Sequence, residues 1–560
     1  MPSRRRSTSS DDAPYHSIPD APSSTDHILP HAIPETELDV EDVEDVETEP
    51  APTHPVDPRI QWIHFILGCA VLLPWNVMIT ATPYFLSRLE GSPIRNTFSS
   101  YLSTSFTFSN FAFLAHATAT STKAKAAPRT HITILTLSFL SLLLTLSTFT
   151  HLPTPLFVAF ILLNGICQAA AGSYLQTAIV AVASLFGPAT MQAVMGGQAA
   201  VAVAVSTVQV LSAGASLHAL PPPPPGGHPI PGSPAGGTGS DGEGGVDLLV
   251  RAVRAASEGV QTWAESDGKA EEKSARTFFF LSTVFLLLCA VANAWLTRMP
   301  EYKAVVAPVD ELGSGWAHGR RLSTDLTEQN PLFSPSSRDG SGVVGERIMR
   351  KEGWKRIWSV AKRNAIYEVA VAYVFVVTLS VFPPLTISVQ PTNPNTAPLL
   401  FASIHFLVFS AGDLLGRQLC AYPRLLIWSS RKLAIISSLR TLFIPLFLAC
   451  NIQRPSPSSS SLLSRAPLDP LDPSSTPLIT SDALFMFLLL LFGASNGYVS
   501  SMCMMSAPSV EHNKRLKGRK EEVDIAATVT SFCLVGGLVL GSVMSFGVRA
   551  AVCRCNPFTV

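Results

Sequence analysis

The chain has 560 residues, 40 basic and 40 acidic, so only 14% are charged against about 25% in a soluble globular chain, and 47% are hydrophobic. The charges are segregated: residues 1–58 hold 14 acidic side chains against Arg4, Arg5 and Arg6, a net of −11, and 59–560 carries +11. An acidic tail ahead of a basic, apolar body excludes a soluble enzyme and a nucleic-acid-binding domain, and nine cysteines in so long a chain exclude a disulfide scaffold.

Residues 1–58 are polar, Pro-rich and acidic, and they read as a disordered cytosolic tail with no signal peptide. A bilayer core of about 30 Å needs roughly 20 apolar residues of helix at about 1.5 Å each. Candidate spans follow at 62–86, 98–119, 131–150, 155–182, 187–217, 277–298, 364–389, 397–420, 432–452, 482–505 and 525–549. The chain is thus expected to be an all-α, multi-pass membrane protein of about eleven helices. Only Phe186, Gly187 and Pro188 separate the fourth span from the fifth.

The stretch 299–363 divides the spans six and five. The expected organisation is the tail 1–58, a six-helix bundle 59–298 with a flexible outer loop 218–276, a cytosolic linker 299–363, and a five-helix bundle 364–560 with a flexible outer loop 453–480. The two outer loops are low in complexity, with Pro221 to Pro225 in one and a Ser/Pro-rich run in the other. Basic residues cluster in loops that fall on one side: Lys123, Lys125 and Arg129; Arg347, Arg350 and Lys351; Arg424, Arg431 and Lys432; Lys514, Arg515 and Lys517. The positive-inside rule puts that side, and the N-terminus, in the cytosol, and the odd count puts the C-terminus outside or in a lumen.

Polar groups inside apolar spans are costly and usually functional. In the first span, Pro74 frees a backbone carbonyl, and Trp75 and Asn76 beside it serve either a ligand or interhelical packing. Gln176 in the fourth is able to bond both edges of a polar ligand or a neighbouring helix. Asp413 and Arg417 in the eighth lie at i, i+4 on one face, where they would neutralise each other and leave carboxylate oxygens for ligand hydroxyls. Arg440 in the ninth reads as a snorkelling or structural residue. No metal-ligand spacing, P-loop or cofactor motif is present, so no cofactor is expected.

Several strings, in order along nearly the whole apolar body, resemble the equilibrative nucleoside transporters, fungal members in particular. They are Leu72-Leu73-Pro74-Trp75-Asn76 with Thr80-Ala81 and Tyr84-Phe85; Met195-Gly196-Gly197-Gln198; Thr378-Leu379-Ser380-Val381-Phe382-Pro383; Asp413 with Gly416-Arg417; Arg440 with Pro445-Leu446-Phe447; and Ser495-Asn496-Gly497-Tyr498. The resemblance implies eleven helices in a 6+5 arrangement related to the major facilitator fold, and transport of nucleosides, with nucleobases for some members, by alternating access. Passive exchange is the expectation with proton coupling open, and the alternatives are a transporter of another small polar solute, such as a sugar or drug, on the same scaffold and a multi-span receptor or scaffold. It implies that Trp75 and Asn76 line the site, that Gln176 binds the nucleoside, and that Asp413 and Arg417 meet the ribose hydroxyls and base. Leu72 and Ile79 fall on ligand-contact positions, and Phe382 and Phe406 on aromatic positions near the cavity. The chain departs from the pattern at Ser410, where Asn is common, and at Gly196, where Ser is common. Expected partners are nucleosides and the lipid bilayer, with no nucleic acid. Arg320-Arg321-Leu322-Ser323 fits a basophilic kinase site or an ordinary basic loop. The run Glu328 to Phe333 loosely resembles a sorting signal, and the vacuolar and plasma membranes are both open.

Overall fold

A computed structural model of the chain describes residues 57–553 apart from 96, 122–125, 151, 219–268, 309–340, 393–395, 397 and 452–477. The tail to residue 56, the low-complexity segments, Ser323 and the run Glu328 to Phe333 lie outside the described residues.

The described chain is helical: α1 (Pro58–Thr80), α2 (Thr82–Arg88), α3 (Phe98–Ala119), α4 (Ala126–Ser147), α5 (Thr154–Leu185), α6 (Pro188–His218), α7 (Lys269–Leu296), α8 (Ser341–Val381), α9 (Pro398–Leu419), α10 (Ser430–Leu439), α11 (Phe443–Leu448), α12 (Asp482–Ser506) and α13 (Val523–Cys553). Local chemistry sets several of these ends. Asp57 caps α1 by accepting from the Arg59 amide at 2.8 Å, with Pro58 in the first turn. The α5–α6 break falls at Gly187, whose φ of +96° suits glycine, and Pro188 opens the next helix.

Among the described residues nine helices are long and apolar enough to cross a membrane. Two expected spans are not among them. In α3 a Ser/Thr run from Ser99 to Ser109 dilutes the apolar character. The segment expected as one helix over 432–452 is divided, because α10 stops at Leu439, a 3-10 turn covers Arg440–Leu442, and Pro445 sits inside the short α11. The helix that carries the span expected from 364 starts earlier, at Ser341, and Ile357 and Val360 in its first half pack on Leu516, Ile525 and Val529.

Close helix pairs rest on glycine. A Cβ at Gly197 of α6 would stand 2.0 Å from the Phe65 carbonyl of α1, and one at Gly537 of α13 would stand 2.3 Å from the Ala372 carbonyl of α8. Small residues let the backbones meet. Helices from before residue 299 also meet helices from after 363 along a seam, where α6 packs on α9 and α13 packs on α5 and α3.

Candidate functional site

The site is assembled by two interlocked G-x-x-x-G runs, Gly412 with Gly416 on α9 and Gly493 with Gly497 on α12. A Cβ at Gly416 would lie 2.0 Å from the Ala494 carbonyl, one at Gly493 2.3 Å from the Phe409 carbonyl, and one at Gly497 1.9 Å from the Asp413 carbonyl. Bare backbone against bare backbone brings α12 onto the turn of α9 that bears Asp413.

Asp413 and Arg417 are both buried. Arg417 Nε donates to Asp413 Oδ2 at 2.9 Å, as the i, i+4 spacing predicts. Asn496 Nδ2 donates to Asp413 Oδ1 at 2.6 Å. Each carboxylate oxygen therefore already accepts one hydrogen bond and keeps a further lone pair. Arg417 Nη1 reaches across the seam to the Met195 carbonyl of α6 at 3.0 Å. In return, Gln192 Nε2 of α6 donates to the Arg417 carbonyl at 3.2 Å. Further along the same seam the hydroxyls of Ser206 and Ser410 lie 3.2 Å apart, so Ser410 occupies its departure from the family pattern with a cross-seam contact.

The network extends to Arg440. Asn496 Oδ1 accepts from Thr378 Oγ1 at 2.7 Å, and that hydroxyl accepts from Arg440 Nη2 at 2.7 Å. Arg440 Nη1 also donates to the Phe492 carbonyl at 3.0 Å and to the Ser495 hydroxyl, and its guanidinium stands 4.6 Å from the Phe492 ring centroid. Arg440 is 1% exposed, so it does not snorkel; the structural half of its expected reading holds. Its place at the 3-10 turn, where the helix breaks, aims it inward. Arg417 thus bonds the carboxylate directly, and Arg440 is linked to it only through Thr378 and Asn496.

The other expected residues fall in three further places. Gln176 is buried and donates to Ser531 of α13 across the seam at 2.8 Å. Trp75 is half-buried and stacks on Phe106 with ring centroids 4.3 Å apart. Asn76 Nδ2 bonds back to the Leu72 carbonyl at 2.8 Å, and Leu72 packs on the core. Ile79 is 40% exposed. Phe382 stacks on Phe409 at 4.0 Å and meets Phe406 edge-on at 5.3 Å; Phe409 also tilts against Phe492, so this aromatic cluster adjoins the Asp413 network. The structure joins Phe382 and Phe406 to the α9–α12 centre. It gives Trp75, Asn76 and Gln176 partners of their own.

Sequence reading assigned no role to Asn496 or Thr378. The signal for Asn496 lies in the paired runs Gly412-x-x-x-Gly416 and Gly493-x-x-x-Gly497, which mark two helices able to touch. It also left Glu368 of α8 unremarked, although this is a single acid in an otherwise apolar run.

Membrane-length helices around a bonded, buried charge network define a multi-pass integral membrane protein. The family model described as "Nucleoside transporter" matches residues 260–550. The chain is 26% identical to equilibrative nucleoside transporter 1 of Rattus norvegicus over 88% of this chain and 96% of that protein. It is 27% identical to equilibrative nucleoside transporter 2 of Homo sapiens over 87% and 96%. A major facilitator superfamily transporter, FucP, aligns over 90% of this chain and 94% of its own with a TM-score of 0.44 and 11% identity. The chain belongs to the nucleoside transporter family.

Proposed function

We propose that the protein carries nucleosides across its membrane by facilitated diffusion, with α1–α7 and α8–α13 rocking about the seam as two bundles. The observation that carries this reading is the position of Asp413, bonded to Arg417 on its own helix and Asn496 on α12, while Arg417 ties the cluster to α6. A nucleoside is neutral, with vicinal hydroxyls and a flat base, and suits a few placed polar groups among apolar walls. In this reading a ribose hydroxyl takes the place of one donor on Asp413 and thereby loosens the Arg417 link to Met195. Trp75 offers a ring for the base, a contact worth about 1–3 kcal/mol in nucleic-acid systems. Gln176, between α5 and α13, is placed to change partners as the seam opens.

The basic loops support a cytosolic N-terminus and a C-terminus outside or luminal, in the vacuolar or plasma membrane. A C-terminal tag and a fluorescent fusion viewed beside a vacuole dye read both. The central test is uptake of labelled uridine and adenosine by proteoliposomes, with Asp413→Asn as the variant that keeps shape and removes charge. Saturable uptake by the wild type and its loss in Asp413→Asn, at equal protein yield, are expected. Wild-type liposomes no more permeable than empty ones would refute the reading.

A further inference from the structure

Glu368 is a buried carboxyl that the Asp413 network does not use. It lies on α8, 7% exposed, facing α13. Its Oε2 is 3.9 Å from the Cys533 thiol, a weak donor, and its Oε1 is buried with no hydrogen-bond partner. The other buried carboxyls described here differ in having a cation: Asp413 is paired with Arg417, and Glu522 with Arg363 at 2.8 Å and Arg519 at 3.5 Å. Among the charged groups on the remaining elements packed against α8, Arg431 and Lys432 at the start of α10 and Lys514 before α13 are exposed. Arg440 is held by Thr378 and α12, Arg515 donates to the Arg363 carbonyl, and Asp524 of α13 lies in the field of Arg356. On α3, His116 bonds the Tyr174 hydroxyl.

An ionised carboxylate without a cation or water is strongly unfavourable inside a membrane, so the packed arrangement suits the protonated acid. On the side of Ala372 and Phe375 the two helices leave no room for water. A Cβ at Gly537 would meet the Ala372 carbonyl at 2.3 Å, and one at Gly541 the Phe375 carbonyl at 2.7 Å, one and two turns along α8 from Glu368. The same stretch of α13 forms the seam: Ser531 receives Gln176, and Phe532 stacks on Phe111 of α3 at 5.3 Å. Hydrating Glu368 therefore displaces the helix on which the other half of the chain bears.

We propose that Glu368 is a proton-binding site that sets the rate of transport: the neutral acid permits the packed α8–α13 contact, and its ionisation removes that arrangement from the cycle. It rests on the nucleoside reading for its assay substrate. The proton changes the rate and not the end point, so uptake still stops at equal concentrations.

The test is initial uridine uptake by proteoliposomes with the same pH inside and out, stepped between about pH 5.5 and 8.5, a window that brackets strongly perturbed carboxyls. Wild-type uptake is expected to fall as pH rises, approaching about tenfold per unit once most of the acid is ionised. Glu368→Gln, a neutral isostere, is expected to hold the wild-type low-pH rate throughout, and Glu368→Met to be equally flat. A wild-type rate independent of pH, or a pH response retained in Glu368→Gln, overturns the proposal. A hydrophobic carbodiimide gives a second reading on the wild type alone, since it adds to the protonated acid. Labelling of the Glu368 peptide should decline as pH rises, and no labelling at low pH overturns the proposal even if the variants fold poorly. Liposomes that take up no uridine at any pH would defeat the nucleoside reading, while the labelling would still report on Glu368.

Discussion

Gly497→Ala tests whether the site depends on helix contact as the structure indicates. The new Cβ would stand 1.9 Å from the Asp413 carbonyl oxygen and 3.1 Å from Arg417 Cγ. Real Cβ contacts essentially never fall under 3.0 Å, so α12 must withdraw by about 1.1 Å. The Asn496–Asp413 bond, now 2.6 Å, would lengthen to about 3.7 Å and cease to be a hydrogen bond. Losing a bond to a charged group costs about 1.5–3 kcal/mol, and strain in a packed contact about 1–3 kcal/mol. Against these, alanine gains about 1 kcal/mol of helix propensity over glycine. The net, about 1.5–5 kcal/mol, is at least a tenfold shift against the folded arrangement. Gly172→Ala is the control, because nothing lies within 4 Å of its Cβ and it gains the same propensity. The assays are nucleoside uptake and thermal unfolding of purified protein in detergent. Loss of both in Gly497→Ala, with both retained in Gly172→Ala, is expected. Wild-type stability in Gly497→Ala would refute the contact argument.

Arg440→Lys should lower thermal stability by about 1–3 kcal/mol, since a single ammonium does not reproduce the fork that reaches Thr378, Ser495 and the Phe492 carbonyl; an unchanged melting temperature would show those bonds to be incidental. For Gln176 and Ser531, a double-mutant cycle to alanine should show a coupling of about 0.6–1.7 kcal/mol, the range for hydrogen bonds between membrane helices. Uptake should fall further in Gln176→Ala than in Ser531→Ala if Gln176 also meets the substrate, whereas equal falls would leave it a helix–helix contact alone. Outside the membrane, His512 stacks on Trp428 at 3.7 Å, and burial holds its pKa below the ordinary 6.5. The unfolded chain therefore takes up this proton first as pH falls, and stability present at neutral pH is lost on acidification. His512→Phe keeps the stack and should flatten melting temperature against pH between about 7 and 5.

Features local in the chain were legible from sequence. The Gly187–Pro188 break depends on one backbone angle and one missing amide, and both belong to residue type. The Asp413–Arg417 pair is set by helical repeat alone. Asn496 was not legible as their partner, because the contact spans 83 residues and exists only once two glycine faces meet. Hydropathy placed the start of α8 at 364 because it reads mean polarity, whereas Ile357 and Val360 make one buried stripe on an otherwise polar helix. Of the two readings of Arg440, snorkelling fails on depth: counting along a continuous helix puts the residue near a helix end, but the 3-10 turn re-aims it into the protein.

The glycine contacts also have a mechanical consequence. Backbones that meet without intervening side chains cannot slide past one another, because a ridge on one helix is seated against the carbonyls of the next. α1 with α6, α8 with α13 and α9 with α12 therefore behave as stiff beams. The joints between the halves are softer, made of Gln192, Ser206, Gln176 and the reach of Arg417, each a bond that can be exchanged without unseating a helix. In the proposed rocking cycle, deformation falls on those few joints, and the beams carry it from one face of the membrane to the other.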